Sequence, residues 1–216
     1  MLSRYYTVKA YGEHEINIQK SRFIAHVQRA ESEQEAQEFI QNIKKRHWNA
    51  THNCSAYLIG ENDQIQKAND DGEPSGTAGV PILEVLKKRN LKDTVVVVTR
   101  YFGGIKLGAG GLIRAYGKAA SEGLDAAGIV ERRLTQIIHV QIDYTWLGKL
   151  EKELRASDYK IKEIHYLDTV EVETYVDDNK VQAFTDWVIE LTNGQCVITQ
   201  GETVYLEEEH SKNVSL

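Results

Sequence analysis

The groups that could do chemistry crowd into residues 69–123. Asp70, Asp71 and Glu73 surround Gly72, and Ser75 and Thr77 flank Gly76. Further on, Arg100-Tyr101-Phe102 leads into five glycines within nine positions, Gly103, Gly104, Gly108, Gly110 and Gly111, with Lys106 inside the run and Arg114 just beyond it. Glycine lets backbone approach a ligand closely, and the free N–H groups and dipole of a helix start attract anions. With Lys106, Arg100 and Arg114 around it, that geometry suits phosphate. Arginine beside Tyr101 and Phe102 can also clamp a phosphate while rings stack on unpaired bases. The run is neither a Walker A loop, because Leu107 follows Lys106, nor a dinucleotide fingerprint, because Ile113 replaces the third glycine. A plain structural reading stands beside the functional one. In it the glycines serve tight turns and close packing, Phe102 is core, and the two arginines pair with Asp70, Asp71 or Glu73.

Two other groupings have paired readings of the same kind. Asp70, Asp71 and Glu73 are weak candidates for a Mg²⁺ site holding a phosphate-bearing ligand against the glycine run. Asp-Gly flanked by Asn and Asp is equally good turn chemistry, and the spacing lacks the length and final Glu of an EF-hand. Ser75 or Thr77 can touch a ligand or cap the next helix. His47, His52 and Cys54 suggest a histidine-activated thiol, but no third group orients the pair; a buried thiol beside a hydrogen-bonded histidine is the alternative.

The elements that must position these residues follow from periodicity. Thr94–Thr99 is β-branched almost throughout, as in a strand buried on both faces. Leu112, Ala115, Tyr116, Ala119, Gly123 and Leu124 repeat at helical spacing up to Ala126-Ala127-Gly128. Upstream, three strands are expected in the first 30 residues, with a turn at Gly12. Ser32-x-x-Glu35 opens a helix carrying Ala36, Phe39, Ile40 and Ile43, which ends at Lys44-Lys45-Arg46, where cations complement the dipole. A strand through Ala56, Leu58 and Ile59 and a helix from Pro81 to Lys88 follow. From Gln136 the pattern reads β-α-β-β-α-β, the split ferredoxin-like order.

Charge divides the chain in the same place. Residues 1–134 carry 19 Lys+Arg against 16 Asp+Glu, +3, and residues 135–216 carry 7 against 16, −9. The step supports two domains, 1–134 and 135–216, and lets the first meet a polyanion, although +3 is far from a strongly basic footprint. No run of about 18 apolar residues exists, so no membrane span is expected. The first residues lack the apolar stretch of a signal peptide, and Cys54 and Cys196 stand far apart without metal or disulfide spacing. A cytoplasmic chain is the expectation.

The phrases GEPSGTAG, VVVTRYFGG and GGLIRAYG, with Ser21-Arg22-Phe23-Ile24 and Thr51-His52-Asn53-Cys54 upstream, resemble the IMPACT (YigZ-type) family over essentially the whole chain. The resemblance implies an α+β protein of two two-layer α/β sandwich domains. The first would be similar to domain four of elongation factor G and to a small-subunit ribosomal protein. The second would be ferredoxin-like, similar to domain five of that factor. It also implies a bacterial RNA- or ribosome-binding regulator of translation. Eukaryotic relatives dampen the amino-acid-starvation arm of translational control through a further N-terminal domain absent from this sequence, so that role does not carry over.

Three function classes emerge. The leading one is a non-enzymatic RNA- or ribosome-associated translation factor. Its phosphate contacts would come from Arg22, His52, Ser75, Gly76, Thr77, Arg100, Tyr101, Gly103, Gly104, Lys106, Gly108, Gly110, Gly111 and Arg114. The second is a Mg²⁺-dependent enzyme acting on a phosphorylated small molecule, and the third an adaptor for a translation-associated protein that works through the acidic C-terminal half. No catalytic residue and no cofactor is assigned.

Overall fold

The computed structural model describes residues 1–209 and divides into two compact units. One comprises Tyr5–Glu131 with Glu208 and Glu209; the other comprises Met1–Arg4 and Arg132–Glu207.

The larger unit is built on a five-stranded antiparallel sheet. After β1 (Arg4–Val8) come β2 (Gly12–Ile18), β3 (Ser21–Arg29), α1 (Glu33–Arg46), β4 (His52–Ile59), β5 (Ile65–Asn69), α2 (Gly79–Lys88), β6 (Thr94–Tyr101) and α3 (Gly108–Ala127). The sheet order is β2-β3-β6-β4-β5. The β-branched strand β6 is therefore central, and Thr94 to Arg100 are all buried. Its alternation feeds two cores. Val96 and Val98 join Phe23, Ala25, Cys54 and Leu58 against Ile82, Leu86, Leu112, Tyr116 and Leu124 of α2 and α3. Val95 and Val97 join Tyr57 and Ile59 against Phe39, Ile40 and Ile43 of α1. The α+β class stands. In this unit, however, helices cover both faces, so the sheet is the middle of three layers rather than half of a two-layer sandwich. The reason is local: every β6 residue up to Arg100 is apolar or pairs internally, and neither face can be left to water.

Several local signals behave as their chemistry dictates. The Ser32 hydroxyl accepts from Glu35 N–H at 3.2 Å and caps α1. Gly128, at φ +71°, ends α3. Gly12 is a correction: it begins β2 instead of forming a turn, and a Cβ there would lie 2.4 Å from the backbone of Ala127. The residue is glycine for close strand–helix packing. Strand β5 gave no sequence signal because it is an edge strand with four of its five residues exposed.

The smaller unit runs β7 (Ile129–Ile142), α4 (Tyr144–Ala156), β8 (Lys160–Tyr166), β9 (Val170–Asp177), a 3₁₀ turn, α5 (Val181–Leu191) and β10 (Cys196–Glu209). β9 lies between β7 and β8, and β10 also pairs with β7. This is the ferredoxin-like arrangement. Ile138, Val140, Val170 and Val172 form its core with Leu150, Leu154, Phe184 and Val188.

On the α1 side of the larger sheet, His26 is fully buried, 3.1 Å from the Tyr11 hydroxyl and with its ring centroid 4.9 Å from that of His47. Burial pushes the imidazole down to about 4, with His47 and Arg46 adding to the effect and Glu13 opposing it. The unfolded chain takes up this proton near pH 6.5 while the native state resists it until about pH 4. Stability is therefore full above pH 6.5 and falls as pH drops through that window. Urea unfolding at pH 7 and pH 5 is expected to differ by about 2 kcal/mol from this group alone, and His26→Gln should flatten the slope. An equally steep slope in the variant would contradict the assignment.

Candidate functional site

One end of the larger sheet gathers most of the chemistry-bearing residues. Antiparallel register sets Arg22 opposite Tyr101 and His52 opposite Arg100, so the first residues of β3 and β4 and the last of β6 share one rim. Loop 70–77 folds under that rim, and the glycine run leads from β6 to α3 beside it.

The acidic loop is turned inward. Asp70 accepts three backbone N–H groups: Gly76 at 2.8 Å on one oxygen, and Ala78 and Gly79 at 3.0 and 2.8 Å on the other. It is thus the N-terminal cap of α2, which has no cap from its own neighbouring side chain. This explains why the helix starts two residues before Pro81. Burial works against the charge of Asp70, but the three N–H donors outweigh it and hold the carboxyl below the usual range. Asp71 accepts from Lys44 Nζ at 2.6 Å and from Asn53 N–H at 2.7 Å. Glu73 is buried, and its Oε1 accepts from Arg100 at 2.6 Å and from the Tyr116 hydroxyl at 2.8 Å. All three carboxylates are spent on the protein's own donors. The proposed Mg²⁺ cluster is therefore corrected to a structural loop.

The same bonds remove several expected ligand contacts. Arg100 is 5% exposed and sits between the rings of Phe23 and Phe102, at 5.3 and 5.4 Å, with its guanidinium on Glu73. It is a buried structural cation rather than a phosphate clamp. Gly76 N–H is committed to Asp70, and the Thr77 hydroxyl donates to the Pro74 carbonyl at 2.6 Å. His52 Nδ1 lies 2.9 Å from the Asp71 carbonyl, which can only accept, so that nitrogen carries the proton. Arg22 makes two hydrogen bonds to Glu15, at 3.0 and 2.8 Å, and lies 5.2 Å from the Tyr101 ring centroid. The Tyr101 hydroxyl meets His47 Nδ1 at 2.9 Å. Ser75 remains exposed.

Cys54 is no nucleophile. Its Sγ is 3.0 Å from the Asp70 carbonyl and 3.3 Å from the Tyr116 hydroxyl, and burial raises the thiol to about 12. Its thiolate is absent at neutral pH.

What remains open is the start of α3. The helix begins Gly108-Ala109-Gly110-Gly111, has no side-chain cap at Leu107, and has no acidic residue in its first turn. Its leading N–H groups therefore lack a protein partner of the kind Asp70 gives α2. Gly108 has φ +69° with open space around it, while a Cβ on Gly103 would strike the Lys20 backbone at 2.1 Å. Gly104 is exposed at φ +85°. Lys106 and Arg114 are exposed, and among the described residues neither has an ion-pair partner. Trp48 (82% exposed), Phe102, Ile105 and Ile113 add apolar surface. Lys20 and Trp48 went unnoticed in sequence. Lys20 reaches the rim only because Gln19 and Lys20 form a two-residue hairpin turn, both at positive φ.

Residues 19–124 match the family model described as the Impact N-terminal domain, and residues 140–195 match a domain of unknown function, DUF1949. The chain is 70% identical to IMPACT family member YvyE of Bacillus subtilis, covering 96% of each chain. It is 33% identical to IMPACT family member YigZ of Escherichia coli, covering 82% of this chain and 88% of that one. A crystal structure of a hypothetical protein shares 29% identity and a TM-score of 0.60, covering 94% of this chain and 99% of that one.

The buried Arg100–Glu73 pair carries a stability prediction. Removing one partner leaves an uncompensated buried charge, so Glu73→Gln should cost about 3 kcal/mol in chemical denaturation. Adding Arg100→Met should restore part of the loss. Additive losses in the double variant would show the two side chains to be uncoupled.

Proposed function

The chain belongs to the IMPACT family, and from that premise we propose that it binds RNA, alone or on the ribosome, by gripping backbone phosphate at the N-terminus of α3. One observation carries this reading: an uncapped, glycine-rich helix start flanked by two exposed cations that the protein does not neutralise, Lys106 and Arg114. On the same rim, by contrast, Arg22 is paired with Glu15 and Arg100 with Glu73. Free N–H groups and the dipole favour an anion at the helix start, and Lys106 and Arg114 add long-range attraction. Gly104, Gly108, Gly110 and Gly111 keep that approach open to a phosphate chain. The exposed rings of Trp48 and Phe102 supply faces on which unpaired bases can stack. Regulation of translation is the setting that the family resemblance implies for such binding.

The chemistry is recognition rather than catalysis. The carboxylates that the second function class would place on Mg²⁺ accept hydrogen bonds from the protein's own donors, which favours the first class. Contacts of this kind release counterions, so binding weakens as salt rises.

The test is co-sedimentation with purified ribosomes, together with titration of a labelled single-stranded RNA across a salt series. The parent should bind with a negative salt slope. Lys106→Ala/Arg114→Ala should weaken binding and shrink the slope by about 1.4, two phosphate contacts at about 0.7 each. Arg22→Ala should change the slope little, because Glu15 already neutralises it. Failure of the parent to bind at low salt, or an unchanged slope in the double variant, would overturn the reading.

A further inference from the structure

We propose that the helix-free face of the ferredoxin-like sheet is a binding site for a divalent first-row metal ion, held by His139, His165, Glu171 and Glu173. Strand alternation places these residues together. Ile138, Val140 and Ile142 of β7 and Val170, Val172 and Val176 of β9 point into the core with α4 and α5, so His139, Glu171 and Glu173 lie on the opposite face. Register sets His139 opposite Glu173, and His165 of β8 opposite Glu171.

The donor atoms of His139, Glu171 and Glu173 already stand near the spacing a metal demands, and His165 adjoins them through Glu173. His139 Nδ1 is 3.1 Å from Glu171 Oε1 and 3.7 Å from Glu173 Oε1, and His165 Nε2 is 3.0 Å from that same Glu173 oxygen. Four ligands at about 2.0–2.1 Å from a tetrahedral ion are roughly 3.3 Å apart. One donor atom each from His139, Glu171 and Glu173 lie within 4.8 Å of one another. Two imidazoles with two carboxylates form a nitrogen–oxygen set suited to Zn²⁺ and its neighbours rather than to Ca²⁺.

Two further features point to a cation. Glu163 is paired directly across the strands from Glu173, a like-charge arrangement that is unfavourable by itself. Lys162 Nζ, 2.7 Å from Glu173 Oε2, answers only one of the three carboxylates and leaves Oε1 to the imidazoles. A register shift between Ile161 and Glu163 lets both Lys162 and His165, three residues apart, reach Glu173 from one strand. Such bulges re-aim side chains at functional places. In β10, Gly201 leaves room for the ring: a Cβ there would lie 2.5 Å from His139 Nε2, the nitrogen turned away from the carboxylates. Binding requires each imidazole to be neutral with its ring proton on the nitrogen away from the ion, Nε2 of His139 and Nδ1 of His165, and ties β7, β8 and β9 together at side-chain level.

The test is calorimetric titration of ZnCl₂ into the EDTA-treated full chain, in a weakly coordinating buffer. One ion per chain is expected, with affinity lowered at least about tenfold in His139→Gln and in His165→Gln, and unchanged in His14→Gln. A second measurement needs no variant: in ¹⁵N spectra of the histidine rings, Zn²⁺ should move the signals of His139 and His165. No binding by the parent, equal affinity in the three variants, or shifts confined to other histidines would each overturn the proposal.

Discussion

The larger unit depends on one buried ion pair, Arg100 with Glu73. Arg100 ends the central strand β6, and Glu73 comes from the loop that caps α2. Through its second contact, with the hydroxyl of Tyr116, Glu73 also fixes α3, whose first turn carries the open glycines. Burial pushes the Tyr116 phenol up, so it stays protonated and donates. A paired charge in low dielectric is costly to break, because either partner alone is left unsolvated. Sheet, acidic loop and glycine-leading helix are therefore set together.

That pairing determines which cations remain for a ligand. The rim is crowded with charge in sequence, yet folding matches Arg22 with Glu15, Lys44 with Asp71 and Arg46 with Glu13. Lys106 and Arg114, beside an uncapped helix start, stay outside this accounting. The two helix starts make the contrast plain. Asp70 satisfies the start of α2 from within, whereas the start of α3 has glycine backbone and no carboxylate. A helix terminus without an internal anion is one that can accept an external anion.

The smaller unit distributes charge by another rule. Its sheet has helices on one face only, so the other face carries polar side chains on alternate positions. Glu163, Glu171, Glu173 and two histidines collect there on three adjacent strands. The metal proposal rests on this local geometry and is independent of the phosphate reading of the larger unit.

Periodicity alone was enough for the buried β6, the apolar stripe of α3, the Ser32 cap and the β-α-β-β-α-β order, because each is a local pattern expressed within one element. The family motifs were likewise legible, since they are contiguous. Other features were not: the edge strand β5, the third layer made by α1, the role of Gly12 against Ala127, and the arrival of Lys20 beside Gly103. Each depends on which surface a segment meets, and exposed or glycine positions carry no period. Above all, sequence placed Arg100 and Arg114 symmetrically around one glycine run, with phosphate or internal carboxylate as equal options for both. Tertiary structure separated them. A strand end buried over Glu73 must neutralise its charge inside the protein, while a helix face in water need not.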